Sequence, residues 1–98
     1  MTKQERYDLY QRAVEKWGED SQFDQMIEEM AELTVALNKF KRAKHFVAQK
    51  KEGVLENIYE ELADVKMCLE QMEWIFGEEN VNSTLEEKFK KFIKQLNE

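Results

Sequence analysis

Two acidic clusters stand inside apolar, strongly helical segments of the chain and are its clearest chemical feature. They occupy residues 28–32 (EEMAE) and residues 60–64 (EELAD). Residues three apart share a face of a helix, so Glu29 pairs with Glu32, and Glu61 pairs with Asp64. Each pair alone is compatible with an ordinary solvated surface. Two such pairs that face each other would instead form a cage of oxygen ligands for a metal ion.

The helical wheel places the two pairs in equivalent positions. With Glu29 set to zero, the apolar side chains fall in an arc of roughly 20–100°, Glu29 lies at the edge of that arc, and Glu32 lies about 60° beyond it. The wheel centred on Glu61 gives nearly the same arc, with Asp64 again about 60° beyond. The apolar sets are Met26, Met30, Leu33, Leu37 and Phe40 in the first segment, and Ile58, Leu62, Val65, Leu69 and Met72 in the second.

We call the edge of the apolar stripe that carries each acid pair its shoulder. Antiparallel packing of the two helices would bring the two shoulders together, either both between the helices or both outside. The midpoint of the two pairs falls between His45 and Phe46, where a connecting turn is expected, so the pairs would also lie at similar height. Four carboxylates at the edge of a core repel one another and lose hydration, which is costly without a cation. We therefore favour a metal site over two unrelated solvated pairs.

The ligand chemistry favours a hard cation. Only oxygen ligands are available, because neither cluster contains the Glu-x-x-His pair of di-iron bundles and the single histidine, His45, lies outside both. Carboxylate oxygens select Mg²⁺, Mn²⁺ or Ca²⁺ over Zn²⁺ or copper. A Mg²⁺ ion held by a few carboxylates usually completes its shell with water and substrate phosphates. The acids alone therefore already suggest phosphate chemistry.

The combination of Glu-Glu-x-x-Glu with a following Glu-x-x-Asp resembles the signature of the MazG-like all-α nucleoside triphosphate pyrophosphohydrolases, a group that also includes dimeric dUTPases. The flanking residues 16–22 (KWGEDSQ), 27–33 (IEEMAEL) and 60–65 (EELADV) extend the resemblance over most of the chain. The resemblance implies a four-helix bundle of that type that converts a (d)NTP to the monophosphate and pyrophosphate with Mg²⁺, or Mn²⁺, as cofactor.

Carried over residue by residue, the resemblance implies that Glu29, Glu32, Glu61 and Asp64 are the metal ligands of the catalytic site. Glu28 becomes an outer-shell or second-metal carboxylate. It points about 100° away from Glu29, however, so a solvated role remains open.

Candidate substrate-binding residues are less specific. The family often carries Lys-x-x-Arg in its last helix, and here Lys88 matches while Lys91 replaces the arginine, which would lose bidentate binding of phosphate. Lys39 follows the first acidic cluster and is a further phosphate candidate. Asn57 shares the shoulder of Glu61 and would either contact substrate or serve at the start of the helix.

Composition limits the other possibilities. The 98 residues predict one domain, 1–98, small enough that a homodimer or homotetramer would help to complete its core. The net charge of −6 argues against general nucleic-acid binding. One cysteine excludes an intramolecular disulfide, which suits a reducing cytoplasm. No apolar signal segment and no membrane span are expected.

The pattern predicts four helices and no strand. Helix one should span about 3–17, with Leu9, Tyr10, Ala13, Val14 and Trp17 inward and Gly18 as its stop. Ser21 with Asp24 resembles a capping box at the start of helix two. Helix two should extend to about residue 44, and residues 46–53 form either a loop or an extra turn of helix. Helix three should span about 54–76 and stop at Gly77, after which Asn80 or Ser83 would cap helix four.

A non-catalytic helical interaction module with an acidic metal-binding face is the main rival hypothesis. It accounts for the charge and the helices but not for two matched acid pairs. A structural Ca²⁺-binding protein is a weaker rival, since the loop ligands of known calcium motifs are missing from the sequence.

Overall fold

The computed structural model describes residues 1–46 and 51–98, which form four helices and, within these ranges, no strand. α1 spans Lys3–Trp17, α2 spans Glu19–Phe46, α3 spans Lys51–Phe76 and α4 spans Glu78–Leu96. The all-α prediction is confirmed. In residues 46–53, which the sequence left ambiguous, Phe46 is the last residue of α2 and Lys51 is the first residue of α3. Residues 47–50 lie outside the described ranges.

Single glycines separate α1 from α2 and α3 from α4, as predicted. Gly18 has φ 89° and Gly77 has φ 113°, values at which a residue with a side chain is strained. Because each break uses only one residue, the next helix begins at once. The predicted caps at Ser21, Asn80 and Ser83 are therefore wrong: α2 starts at Glu19, and α4 starts at Glu78 without a side-chain cap.

The long antiparallel hairpin of α2 and α3 is the centre of the fold, and most contacts between helices occur there. Its buried apolar side chains include Met26 and Ala36 from α2 with Ile58 and Cys68 from α3. This core is small, because none of the large side chains whose burial the structure describes is completely enclosed. The apolar stripes identified in the sequence are therefore only half covered within one chain.

α1 lies across one end of the hairpin and is fixed by polar contacts. Arg6 donates to both carboxylate oxygens of Glu70, from Nε at 2.6 Å and from the terminal nitrogen at 3.1 Å. The hydroxyl of Tyr10 donates to the same carboxylate at 2.7 Å. Glu78 at the start of α4 accepts from Tyr7 at 2.7 Å and pairs with Lys3. These contacts set the position of α1 relative to α3 and α4.

Part of the predicted core on α1 is exposed. Tyr10 is buried, but Leu9 and Trp17, both predicted to point inward, are exposed on α1. The reason is that α1 covers the hairpin only partly and leaves a groove beside it. α4 has no buried residue at all.

Among the described residues, no helix combines the length and apolar character needed to cross a bilayer.

Candidate metal centre

Three of the four predicted ligands come together on one side of the α2–α3 hairpin. One carboxylate oxygen from each of Glu29, Glu32 and Glu61 lies within 4.8 Å of the others. Oxygens bound to one Mg²⁺ at about 2.1 Å are at most about 4.2 Å apart, so a small inward movement would let one ion contact all three. We call these residues the acidic triad. Asp64 lies beside the triad, close enough for its charge to act on both Glu29 and Glu61.

The hairpin explains why the triad converges. Glu29 and Glu32 are one turn apart on α2, and Glu61 occupies the equivalent shoulder of antiparallel α3. The positions follow from the helical spacing alone, and no loop residue takes part. Carboxylates placed on two rigid, packed helices can reach one another with little freedom to move apart.

Two oxygens of the triad are shielded from solvent and have no hydrogen-bond partner among the described residues, although the side chains that carry them are only half-buried. They are Oε2 of Glu29 and Oε2 of Glu61. The other oxygen of Glu29 accepts a hydrogen bond from Nε2 of Gln25 at 2.8 Å. A shielded carboxylate oxygen without a donor is energetically costly, and a proton or a cation at this position would remove that cost.

The electrostatics of the triad agree with this requirement. Burial raises the pKa of Glu29, and the negative charges of Glu32, Asp64 and Glu61 raise it further. Burial likewise raises the pKa of Glu61, with added contributions from Glu32 and Asp64. A divalent cation would replace the mutual repulsion by attraction. The set of oxygen-only donors fits Mg²⁺ or Mn²⁺.

A large groove opens on the Glu29 and Asp64 side of the triad. Its volume is about 1110 Å³, which is ample for a nucleotide-sized molecule. The wall formed by α1 carries Leu9, Ala13 and Trp17 together with Arg12 and Lys16. Arg6 also lines the groove, but Glu70 already neutralises it.

Two glutamine side chains line the floor of this groove. Gln22 is 9% exposed and Gln71 is 5% exposed, and neither forms a side-chain hydrogen bond within the described part of the chain. Their amides are able to donate and accept toward a molecule in the groove. No sequence pattern identified either glutamine, or Arg12 and Lys16, because their role depends on where α1 packs. Only Gln25 carried a local signal, since it lies one turn before Glu29.

A smaller cavity of about 310 Å³ lies on the opposite side of the triad. Glu28, Glu32 and Glu61 line it, and so do Lys39 and Asn57. The structure therefore places two of the predicted substrate residues next to the acids. Lys88 and Lys91 line neither cavity, because both lie on the exposed part of α4.

Comparisons of the chain with protein-family models, with curated proteins and with solved structures find no match. The resemblance to MazG-like enzymes therefore stays a prediction from the motifs.

Proposed function

We propose that this chain is a Mg²⁺-dependent nucleoside triphosphate pyrophosphohydrolase of the MazG-like, four-helix type, acting as a homo-oligomer. The single observation that carries the proposal is the acidic triad with its two shielded, unpartnered oxygens, on Glu29 and Glu61. A solvated acidic surface would not withdraw carboxylate oxygens from water without donors, whereas a cation site would. The motif resemblance and the adjoining groove add the substrate class.

The two cavities suggest how a nucleotide would lie. The larger groove offers apolar side chains such as Leu9 and Trp17 for a base and sugar, and the amides of Gln22 and Gln71 for polar groups. The smaller cavity offers Lys39 and Asn57, which suit the outer phosphates. The acidic triad lies between the two cavities. We therefore place the α-phosphate at the triad, the nucleoside in the groove and the leaving pyrophosphate in the smaller cavity.

Glu29, Glu32 and Glu61 would hold the metal, with Asp64 as a fourth ligand or as a carboxylate that positions water. When bound, Mg²⁺ supplies neutralisation of the phosphate charge and a water molecule of lowered pKa. Asp64 would orient the attacking water in line with the bond between the α-phosphorus and the bridging oxygen. The water oxygen bonds to the α-phosphorus, the bridging bond breaks, and pyrophosphate leaves. A ligand carboxylate on the groove side, Glu29 or Asp64, would accept the water proton, since Glu28 lines the cavity assigned to the leaving pyrophosphate.

A panel of ribo- and deoxyribonucleoside triphosphates, incubated with Mg²⁺ and then with EDTA, tests this proposal. Metal-dependent release of pyrophosphate and a monophosphate is the expected result. Glu61→Gln should abolish that release, while Glu56→Gln, an exposed acid elsewhere on α3, should leave it unchanged. Release of orthophosphate, or no product from any nucleotide, would contradict the proposal.

The exposed surface of α4 is the observation that favours a second candidate function, that of a non-catalytic interaction module. Large apolar side chains such as Phe89 and Phe92 are half exposed there, which is unusual for a chain that works alone. The same panel separates the two functions, because a module of this kind would bind metal or a partner without turnover.

A further inference from the structure

The chain exposes two apolar surfaces that match each other in pattern. In α3, Leu55, Leu62, Leu69 and Phe76 repeat every seven residues and are half exposed. In α2, Met30 and Leu37 are likewise seven apart and half exposed. Since the acidic triad occupies one shoulder of the hairpin, these residues occupy the other. We call these six residues the back face.

α4 carries the complementary feature. Leu85, Phe89, Phe92 and Leu96 are spaced four, three and four apart, which is the spacing of a coiled-coil seam. Their exposed fractions range from 44% to 68%, so the seam is not covered by its own chain. We call these four residues the α4 seam. A hairpin of two helices whose apolar side chains repeat every seven residues and are uncovered can accept a third helix that carries such a seam. The third helix packs in the groove between the two helices of the hairpin.

The size of the chain's surface indicates how much is left to cover. The accessible surface is 8013 Å², whereas a compact monomer of this mass exposes roughly 5,900 Å². The radius of gyration is 16.9 Å, compared with about 13 Å for a compact domain of this length. The single chain therefore exposes far more surface than a self-sufficient domain.

We propose that a second copy of this chain covers both surfaces, with α4 of each copy lying on the back face of the other. This goes beyond the proposed homo-oligomer by naming the two surfaces that meet. A reciprocal two-fold arrangement is self-consistent, because each chain supplies one seam and one back face. Complete burial of these ten half-exposed side chains would remove at most about 1,000 Å² per copy, which is of the order of the roughly 800 Å² per partner of a standard stable interface.

Charge supports a second copy as the occupant. Residues 88–96 of α4 carry four lysines and no acidic residue, while the whole chain has a net charge of −6, so the remainder carries −10. This difference in sign favours the approach of α4 to another copy, while the match of apolar spacing selects the back face. The back face is opposite the acidic triad, so this packing leaves the groove and the smaller cavity open.

Sedimentation of the full chain at micromolar concentrations tests the proposal, and a dimer is expected. Phe89→Ser with Phe92→Ser should make the chain monomeric. Glu87→Ser, on the polar side of α4, should leave the dimer intact. A wild-type monomer at every concentration, or a dimer that survives the seam substitutions, would overturn the proposal.

The melting temperature of the wild-type chain provides a measurement that does not depend on any variant folding. It should rise with chain concentration, because dissociation and unfolding are coupled. A melting temperature independent of concentration would overturn the proposal.

Cross-linking identifies which surfaces meet. In a Cys68→Ala background, chains carrying Phe92→Cys are co-refolded with differently tagged chains carrying Leu62→Cys and treated with a bis-maleimide. Cross-links that join the two kinds of chain are expected. Cross-links mainly between two Phe92→Cys chains would mean that α4 meets α4, and would overturn the pairing. None of these results depends on nucleotide hydrolysis, so failure here is separate from failure of the proposed enzyme activity.

Discussion

Glu29 and Glu61, on the two helices of the central hairpin, each turn one carboxylate oxygen away from solvent without a hydrogen-bond donor to meet it. Each oxygen belongs to a carboxylate whose pKa is raised, first by burial and then by neighbouring negative charges. Glu32 joins them within 4.8 Å. This relationship is the basis of the metal hypothesis and of the first two predictions.

Mg²⁺ should stabilise the folded chain. A cation that binds only the folded state raises its stability by mass action, and here it also relieves repulsion within the acidic triad. We expect the melting temperature to rise by several degrees between EDTA and excess Mg²⁺. Glu29→Gln with Glu61→Gln should remove that difference, whereas Glu56→Gln should keep it. Equal melts for the wild-type chain with and without Mg²⁺ would mean that the triad does not bind the ion.

Asp64→Asn should reduce turnover tenfold to a hundredfold without loss of helix content. The amide keeps the shape of the side chain but removes a negative charge beside the triad, and groups that support a metal site commonly contribute tenfold to a hundredfold. Initial rates of pyrophosphate release and far-ultraviolet circular dichroism provide the two measurements. A variant with wild-type turnover would assign Asp64 to the surface.

The sequence was sufficient for the parts of the fold that depend on local spacing. Gly18 and Gly77 end α1 and α3 as predicted, because only glycine tolerates their backbone angles. The cap at Ser21 was wrong, since a single glycine already completes the break and α2 begins at Glu19. Serine and aspartate are common both at the N-cap and inside the first turn of a helix. The sequence alone therefore could not tell whether Ser21 caps α2 or lies within its first turn.

The site was predictable in its acids and not in its surroundings. Glu29, Glu32 and Glu61 converge because helical spacing and one antiparallel hairpin determine where they lie. Gln22 and Gln71 line the groove only because α1 packs where Arg6 and Glu70 pair, a contact between residues far apart in sequence. No local pattern reports such a contact.

Lys39 should matter more for substrate binding than Lys91. Lys39 lines the smaller cavity with two acids of the triad, whereas Lys91 lies on exposed α4 and lines neither cavity. We expect Lys39→Gln to raise KM about tenfold, the loss of one charge-assisted contact to phosphate. Lys91→Ala should change KM by less than about twofold, as expected for a solvated lysine. Equal effects of the two substitutions would mean that α4 reaches the site from another copy.

The ionised side chain of Glu70 should stabilise the folded chain, and this stabilisation should be lost at low pH. Hydrogen bonds from Arg6 and Tyr10 hold the pKa of Glu70 below its ordinary value. A carboxyl group with a lowered folded-state pKa contributes stability above the unfolded value, about 4.3, and loses it as the pH falls through the folded value. Glu70→Gln should therefore lower the melting temperature at pH 7 and flatten its fall on acidification.

Glu86→Gln, which alters an exposed acid on α4, serves as the matched control for Glu70→Gln. It should leave the melting curve close to that of the wild-type chain from pH 7 to pH 3. If Glu70→Gln behaves in the same way, the contact of α1 with α3 contributes little to stability.

Hydrolysis of a nucleoside triphosphate in water labelled with oxygen-18 tests the central claim most directly. Attack at the α-phosphorus incorporates the label into the nucleoside monophosphate and leaves the pyrophosphate unlabelled, as followed by mass spectrometry of both products. We predict this result with Mg²⁺ and no reaction with EDTA. Label in pyrophosphate or in orthophosphate would place the attack at another phosphorus and contradict the account.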